Sequence, residues 1–154
     1  MKPYEPKKSL GFLLVEVARL MRWDFNERVA ELGLTQSQWR ALAYLSWMEG
    51  CNQACLAEQL EVKPITLTRL VDKLVSKDWV VRKPDKNDRR AVRLFLTEKA
   101  RPLLKVMQEK ALDTRMKALA GIEADDYELF FRTLEKMKKN LLRQVNGENE
   151  KRSK

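Results

Sequence analysis

The sequence of 154 residues contains no histidine and only two cysteines. Histidine is the commonest general base near neutral pH and the commonest metal ligand, so its absence disfavours most catalytic and metal-dependent mechanisms. Two cysteines are too few for a disulfide framework and are typical of a protein of the reducing cytosol. We therefore expect a cytoplasmic protein that is not an enzyme and that needs no cofactor and no metal.

Long apolar runs are also missing, and loop-forming residues are scarce. No window reaches the roughly 18 uninterrupted apolar residues of a membrane span, and the first residues lack the apolar stretch of a secretory signal. Only five glycines and five prolines accompany 44% hydrophobic and 34% charged residues. This composition disfavours a disordered or fibrous chain and predicts about one helix-rich globular domain without membrane contact.

What the sequence does have is positive charge. The chain carries 31 basic and 22 acidic residues, a net charge of +9. Residues 62–93 hold 10 basic and 4 acidic side chains, whereas residues 1–61 hold 7 and 8. A surface that is basic only for solubility would spread its cations along the chain, so this concentration favours one face that binds a polyanion.

The spacing of apolar residues predicts two helices in the first third of the chain. Between residues 9 and 32 apolar side chains recur at three- and four-residue steps, which is the period of an amphipathic helix. Gly33 is suited to end this helix. Thr35 and Gln38 have the spacing of a capping box and open a second helix that ends near Gly50.

The middle of the chain changes from helical to strand period. Asn52 is suited to cap a short third helix, and Pro64 lies where a first-turn proline is tolerated in a fourth. Residues 79–83 and 92–96 are β-prone runs that flank the polar segment 84–91. We predict one hairpin with a long basic tip. Two more helices should follow, up to about residues 121 and 145.

The fourth helix has two distinct faces on a helical wheel. On one face Leu70, Val71 and Leu74 lie within about 60° of Leu67. The opposite side carries Ile65, Arg69, Asp72 and Ser76, flanked by Thr68 and Lys73. These groups suit base edges and phosphates in a major groove. An ordinary charged surface helix has the same pattern. The basic hairpin that follows favours the interpretation as a DNA-binding helix.

The hairpin tip concentrates cations with two carboxylates. It contains Lys83, Lys86, Arg89, Arg90 and Arg93, together with Asp85 and Asp88. A two-stranded arm with arginine at its tip can enter the narrow minor groove, where the potential is strongly negative. Asp88 fits a brace for a neighbouring arginine better than a DNA contact, because a carboxylate is repelled by phosphate.

These residues closely resemble the MarR family of bacterial transcription regulators, and its SlyA-like branch in particular. The resembling runs are LTQSQW at 34–39, LAEQL at 56–60, TLTRLVDKL at 66–74, DRRAVRLFLTEKA at 88–100 and ALAGI at 118–122. The resemblance implies a homodimer whose first helix and last two helices intertwine, with Arg90 as the minor-groove arginine and Asp88 as its brace. One departure is Asp78, where the family usually has glycine. Aspartate accepts a left-handed conformation at modest cost.

The predicted fold is mostly α with a small β-hairpin, a winged helix-turn-helix flanked by dimerisation helices. We place an N-terminal dimerisation helix at 1–33, the winged domain at 34–97, C-terminal dimerisation helices at 98–147 and a flexible tail at 148–154. The apolar stripes of the terminal helices exceed what one small domain covers, which implies a partner chain. A single monomeric core is the alternative.

The predicted DNA-binding residues lie on the fourth helix and the hairpin. They are Ile65, Thr66, Thr68, Arg69, Lys73, Lys83, Lys86, Arg89 and Arg90. The resemblance also implies a pocket for a small aromatic carboxylate, which here would be built by Arg19, Arg22 and Trp39. Arg19 and Arg22 share a helix face and can hold a carboxylate while Trp39 stacks on the ring. Alternatively, both arginines form ion pairs with Glu16 and Glu27.

Other tempting residues have ordinary explanations. Cys51 and Cys55 lie near a helix start, where thiol pKa values can fall, but family members that sense oxidants place their thiol elsewhere. We expect free, partly buried thiols. Acidic residues between 123 and 128 are explained by the dipole of a helix start. The four tryptophans and six methionines are expected mostly in the core.

The sequence thus predicts a homodimeric, sequence-specific regulator that binds double-stranded DNA at inverted-repeat operators. Small aromatic acids are its expected modulators. The alternatives are an architectural or anti-silencing DNA-binding protein with low sequence preference, a cysteine-based redox-responsive regulator, and an enzyme that uses Cys51.

Overall fold

The structure, a computed structural model, describes residues 9–85 and 91–152, with residues 143–152 described as backbone only. Along these ranges the chain forms six α-helices and one two-stranded antiparallel hairpin, as predicted. The elements are α1 (Leu10–Val29), a 3₁₀ turn (Ala30–Leu32), α2 (Gln36–Trp47), α3 (Gln53–Leu60), α4 (Pro64–Ser76), β1 (Val80–Pro84), β2 (Val92–Leu96), α5 (Ala100–Ala118) and α6 (Ala124–Arg152). The chain divides into two compact units, Met1–Arg115 and Met116–Lys154.

The core of the first unit gathers one apolar face from each of its helices and from the hairpin. Its largest fully buried side chains are Leu42, Leu45, Leu56, Leu67, Leu74, Leu94, Val29, Val71 and Val80. Burial of each such side chain contributes about 1.5–3 kcal/mol. Because these residues occupy one side of each helix, the rotation of each helix about its axis is fixed and its polar side must face outward.

Local capping sets where the helices begin and end. Gly33 has φ 63° and ends the first helical segment in the left-handed conformation. The capping box predicted at α2 is present: the Gln38 amide donates to the Thr35 hydroxyl at 3.3 Å, and the Thr35 amide donates to Gln38 Oε1 at 3.0 Å. The Asn52 side chain accepts from the Cys55 amide at 2.9 Å at the start of α3. The side chains at these starts replace missing helical hydrogen bonds.

The hairpin is joined to the segment before α3. The Gly50 amide donates to the Leu94 carbonyl at 2.8 Å, and the Leu94 amide donates to the Cys51 carbonyl at 2.9 Å. Gly50 has φ 86°, and a Cβ there would lie 3.3 Å from the Phe95 ring. The position therefore requires glycine for both its backbone angle and its close packing. These bonds fix the base of the hairpin on the helical core.

Asp78 adopts the left-handed conformation, with φ 58°, at the turn between α4 and β1. This is the conformation expected for a position where the resembling family has glycine. The Asp78 carbonyl accepts from the Thr97 hydroxyl at 2.6 Å, which ties the turn to the end of β2. The departure from glycine therefore leaves the hairpin in place.

Two features differ from the prediction. The last helix continues to Arg152, beyond the predicted end near residue 145. The expectation that tryptophans and methionines lie mostly in the core is wrong for Trp23, Trp47 and Met116, which are 60%, 82% and 62% exposed. Helical spacing reports which residues share a face, but not whether a neighbouring element covers that face.

Both terminal helices display apolar side chains on their surfaces. On α1 the exposed ones include Leu10, Phe12, Leu13, Val15, Val17 and Leu20, and on α6 they include Leu129, Phe130, Phe131, Leu141 and Leu142. Among residues 9–85 and 91–152, no helix is both long enough and apolar enough to cross a bilayer. Apolar faces of this extent are typical of surfaces that contact another protein.

The capping box generates a stability prediction. Thr35→Ala removes the hydroxyl that accepts from the Gln38 amide and should lower the free energy of unfolding by about 1 kcal/mol, measured by urea titration. Ser9→Ala is the matched control, because the Ser9 side chain caps nothing at the start of α1. An equal loss of stability in both variants would contradict the role of the cap.

Candidate functional site

Helix α4 presents a cationic and polar surface because its apolar face is held in the core. Leu67, Leu70, Val71 and Leu74 are buried, as the helical wheel predicts. Pro64 occupies the first turn, where its missing amide hydrogen is not needed. The Thr68 hydroxyl donates to the Pro64 carbonyl at 3.1 Å, so its lone pairs remain open to an outside donor. The helix therefore offers donors and acceptors along one continuous exposed side.

An ion pair joins this helix to the first strand of the hairpin. Arg82 Nη2 of β1 lies 2.6 Å from Asp72 Oδ1 of α4. The pair neutralises the carboxylate on the exposed face of α4, which would otherwise repel a polyanion. It also links the orientation of the helix to that of the hairpin. The sequence placed Asp72 on this face but gave no partner for it.

The base of the hairpin holds a second ion pair. The Arg93 guanidinium donates through Nε to the carboxylate of Asp85, a buried side chain, and through Nη1 to the Gly50 carbonyl at 2.8 Å. The Lys83 ammonium lies 4.8 Å from the centroid of the Phe95 ring. A guanidinium held by two acceptors has lost most of its freedom. Arg93 is thus a structural brace at the start of the tip.

The predicted DNA-binding residues that the structure describes share one property, exposure to solvent. They are Ile65, Thr66, Thr68, Arg69, Lys73 and Lys83. The remaining ones, Lys86, Arg89 and Arg90, lie outside the described residues, and so does the predicted brace Asp88. Helix α4 and the hairpin base thus bring the six described side chains to the surface.

A groove of about 310 Å³ lies between α2 and α4. Thr66, Arg69 and Lys73 line it from α4, and Ser37 and Arg40 line it from α2. Sequence reasoning missed the contribution of α2. The signal was present in part, since Ser37 and Arg40 are three residues apart and share a helix face. The packing of α2 against α4 is what brings them beside the cations of α4.

A second cavity, of about 300 Å³, lies among α1, α2 and α5. Its walls are mostly apolar or aromatic; the lining residues include Met21, Phe25, Trp39, Trp47, Leu104 and Met107. Arg22 is the one positively charged residue that lines it among the described residues. The cavity therefore combines an apolar interior with one cation, which suits a small apolar anion.

The three residues predicted for an effector site are only partly brought together. Arg22 and Trp39 line the cavity, whereas Arg19 does not. Arg19 instead lies 3.9 Å from Glu16 on the same helix, and both side chains are largely exposed. The part of the cavity wall that α5 forms was not predicted from the sequence, because contacts between distant segments leave no local sequence pattern.

Trp39 is fixed in the wall of the cavity by two neighbours. Its indole Nε1 donates to Asn26 Oδ1 at 2.6 Å, and its ring packs edge-on against Phe25 with centroids 4.6 Å apart. Asn26 in turn donates to Gln36 Oε1 at 3.2 Å, at the first residue of α2. The wall of the cavity is thus connected by hydrogen bonds to the start of the helix-turn-helix.

A polar network joins α1 to α5 beside this cavity. Asp24 Oδ2 accepts from Arg28 Nε at 2.6 Å and from the buried Thr114 hydroxyl at 2.8 Å. Arg28 also lies 3.7 Å from Asp113. The hydrogen bond to Asp24 raises the pKa of the Arg28 guanidinium above its usual value, although partial burial opposes the shift. The guanidinium therefore remains charged, and the network holds Thr114, which lines the cavity.

The cysteines show no sign of activation. Both are free and partly buried, as expected. Burial is the main cause that raises the pKa of the Cys51 thiol above its usual value, and the nearby Cys55 adds to it; the thiolate fraction at neutral pH is therefore lowered.

Asp125 and Asp126 lie in the first turn of α6, where the helix dipole favours carboxylates. Within the part of the chain that the structure describes, no group of three or more candidate ligands is arranged to hold a metal ion.

Comparison with known proteins places this geometry in a family. A model of the MarR family matches residues 34–92, which include α2, α3, α4 and β1 and end at the first residue of β2. The crystal structure of the transcriptional regulator PA3341 is similar over 88% of this chain and 99% of its own, with 32% identity and a TM-score of 0.79. A MarR family transcriptional regulator from Silicibacter pomeroyi is similar over 88% and 92%, with 25% identity and a TM-score of 0.76.

One further neighbour was solved with nucleic acid. A mutant of MarR from E. coli, complexed with operator DNA, is similar over 83% of this chain and 92% of its own, with 28% identity and a TM-score of 0.71. The match covers nearly the whole of each of these chains, so it includes the flanking helices as well as the winged helix. The chain belongs to the MarR family of transcriptional regulators.

Proposed function

We propose that this protein is a sequence-specific regulator that binds double-stranded DNA and has no catalytic role. The observation that carries the proposal is the exposed, cationic face of α4, held outward by the burial of Leu67 and Leu74. A helix with its side chains is about 10–12 Å wide, and the major groove of B-DNA is about 12 Å wide. The similar MarR mutant from E. coli was solved in complex with operator DNA, which supports DNA as the ligand.

In this mode α4 enters the major groove and the hairpin tip reaches the adjacent minor groove. Arg69 is the side chain best suited to read a base edge, because its fork pairs with guanine in a bidentate manner. Lys83 and Lys86 contact phosphates, and Arg90 enters the minor groove.

The SlyA-like branch of the family and a cytoplasmic location are also part of this proposal. They are supported by the motifs at 88–100 and 118–122 and by the small number of cysteines.

Selection of binding sites from random DNA tests this function. A regulator should prefer its selected site over random DNA by about 10³-fold or more at physiological salt. A ratio near one would instead favour an architectural protein with little sequence preference. Binding of neither selected nor random duplexes would overturn the proposal.

Two arginines are expected to have different effects on DNA affinity. Arg69→Ala should cost roughly 1–3 kcal/mol of operator binding and relax the preference at one position in each half-site. Arg90→Ala should weaken binding to all sequences severely, since one cation is lost from the minor groove. Affinities are measured by fluorescence anisotropy, with Lys139→Ala on the exposed surface of α6 as the control. Operator binding by Arg90→Ala at the parent level would refute the assignment of the tip.

We also propose that the protein acts as a homodimer on inverted repeats. The exposed apolar side chains of α1 and those of α6 support this, because a partner chain would remove them from water. A two-fold dimer presents two identical recognition helices, so its half-sites must form an inverted repeat.

The dimer predicts a strict spacing of half-sites. Their centres should lie about one helical turn apart, ~10 base pairs, or a whole multiple of that distance. Lengthening the spacer by half a turn should place one half-site on the wrong side of the duplex and abolish tight binding. A spacer longer by a full turn is the control for length alone. Retained affinity after the half-turn insertion would rule out a rigid two-fold dimer.

We further propose that the cavity among α1, α2 and α5 binds a small aromatic carboxylate that changes DNA affinity. Arg22 would hold the carboxylate, and Trp39 would stack on the ring. Support comes from the apolar lining and its one described cation. By linkage, a ligand that weakens DNA binding must itself bind more weakly to the DNA complex, by the same factor.

Arg22 and Arg19 provide a matched pair for testing the effector site. Arg22→Gln should weaken salicylate binding about tenfold or more, since a charge-assisted bond is lost, whereas Arg19→Gln should leave it unchanged because Arg19 lies outside the cavity lining. Binding is followed by tryptophan fluorescence and calorimetry, with and without operator. Equal effects of the two substitutions would exclude this cavity, and equal salicylate affinities with and without operator would exclude ligand-controlled release.

A further inference from the structure

The groove between α2 and α4 contains a cluster of cations without acidic neighbours. Arg40 contributes from α2, and Arg69 and Lys73 contribute from α4. The floor is made by apolar side chains from α3, α4 and the connection between them, namely Leu60, Val62 and Leu70. No aspartate or glutamate lines the groove among the residues that the structure describes. Three like charges in one groove repel each other and are stabilised by a bound anion.

The lack of carboxylate partners distinguishes these cations from five other arginines whose side chains the structure describes. The arginines that form ion pairs with carboxylates are Arg19, Arg28, Arg82, Arg93 and Arg101. In the described part of the chain, neither Arg40, Arg69 nor Lys73 forms such a pair. Within the described residues, the three cations of the groove are therefore not neutralised by an ion pair with a carboxylate.

The position of the groove selects the kind of anion. A helix that fills the major groove has phosphate backbone along both of its sides. A second helix packed on it, with its axis about 8–10 Å away, therefore meets that backbone rather than the bases. Helix α2 contacts α4, and Arg40 of α2 lines the groove between them. The forked guanidinium of arginine matches the oxygens of a phosphodiester.

We propose that this groove holds a backbone phosphate of bound DNA, and that Arg40 of α2 is a DNA contact outside the recognition helix and the hairpin. The inference rests on the proposed DNA-binding function and extends its interface to α2. Arg40 and Lys73 contact the phosphate from opposite walls, while Arg69 is shared between the groove and the base edges. The contact does not depend on sequence, because a phosphate is present at every step of the backbone.

The test is the salt dependence of binding to a labelled mixed-sequence duplex, followed by fluorescence anisotropy. Each phosphate contact contributes about 0.9 to the slope of log K against log salt. Arg40→Gln should reduce the slope by about this amount and weaken binding about five- to tenfold at physiological salt. Arg40→Lys should retain the slope. Lys105→Gln, on the exposed side of α5 and outside the groove, is the matched control.

The outcomes distinguish this inference from the function on which it rests. Parent protein that binds no duplex would overturn both. Parent binding together with an unchanged slope in Arg40→Gln would overturn only the groove, provided that thermal melting shows the variant folded. Calorimetry with inorganic phosphate, without DNA, separates the sources of the anion. If Arg40→Gln abolished phosphate binding and left the DNA slope unchanged, the groove would be a site for small anions and not for DNA.

Discussion

The candidate DNA-binding surface depends on the burial of four apolar residues along one side of α4. Leu67, Leu70, Val71 and Leu74 lock the helix against the core, and their combined burial far exceeds the energy of any single surface contact. A helix held on one side cannot rotate, so its cations always leave it on the side that faces away from the core. The Asp72–Arg82 ion pair then links the hairpin to this helix, while the Arg93–Asp85 pair joins the two sides of the hairpin at the start of its tip. Preorganisation of this kind lowers the entropy lost when long side chains contact a ligand.

The sequence was most informative where a local rule decides the structure. The capping box at Thr35, the stop at Gly33 and the two faces of α4 each depend on neighbours within a few residues. Asp78 belongs to the same group, since its left-handed conformation follows from its place in the turn. Winged architecture could be predicted because these local patterns occur in a fixed order along the chain.

Features that depend on packing between distant segments were not predicted. Helical spacing placed Arg19 and Arg22 on one face, yet only Arg22 reaches the cavity, because α5 closes one part of that face. Trp47 has an apolar side chain at helical spacing and is nevertheless exposed, since the described residues supply no covering element. Arg40 was overlooked for the same reason: nothing near it in sequence reveals that α2 and α4 enclose a groove.

Helix α2 lines both the cavity beside α1 and α5 and the groove beside α4. Trp39 and Arg40 are adjacent residues and therefore project about 100° apart around the helix axis. Trp39 forms part of the cavity wall and is bonded to Asn26, while Arg40 lines the groove beside α4. A ligand that changes the angle of α2 must move both side chains together, because protein cores are too densely packed to absorb the change locally. Coupling between the proposed effector and DNA would then need only one helix with a different surface on each side, and the reciprocity of linkage would apply to both ligands.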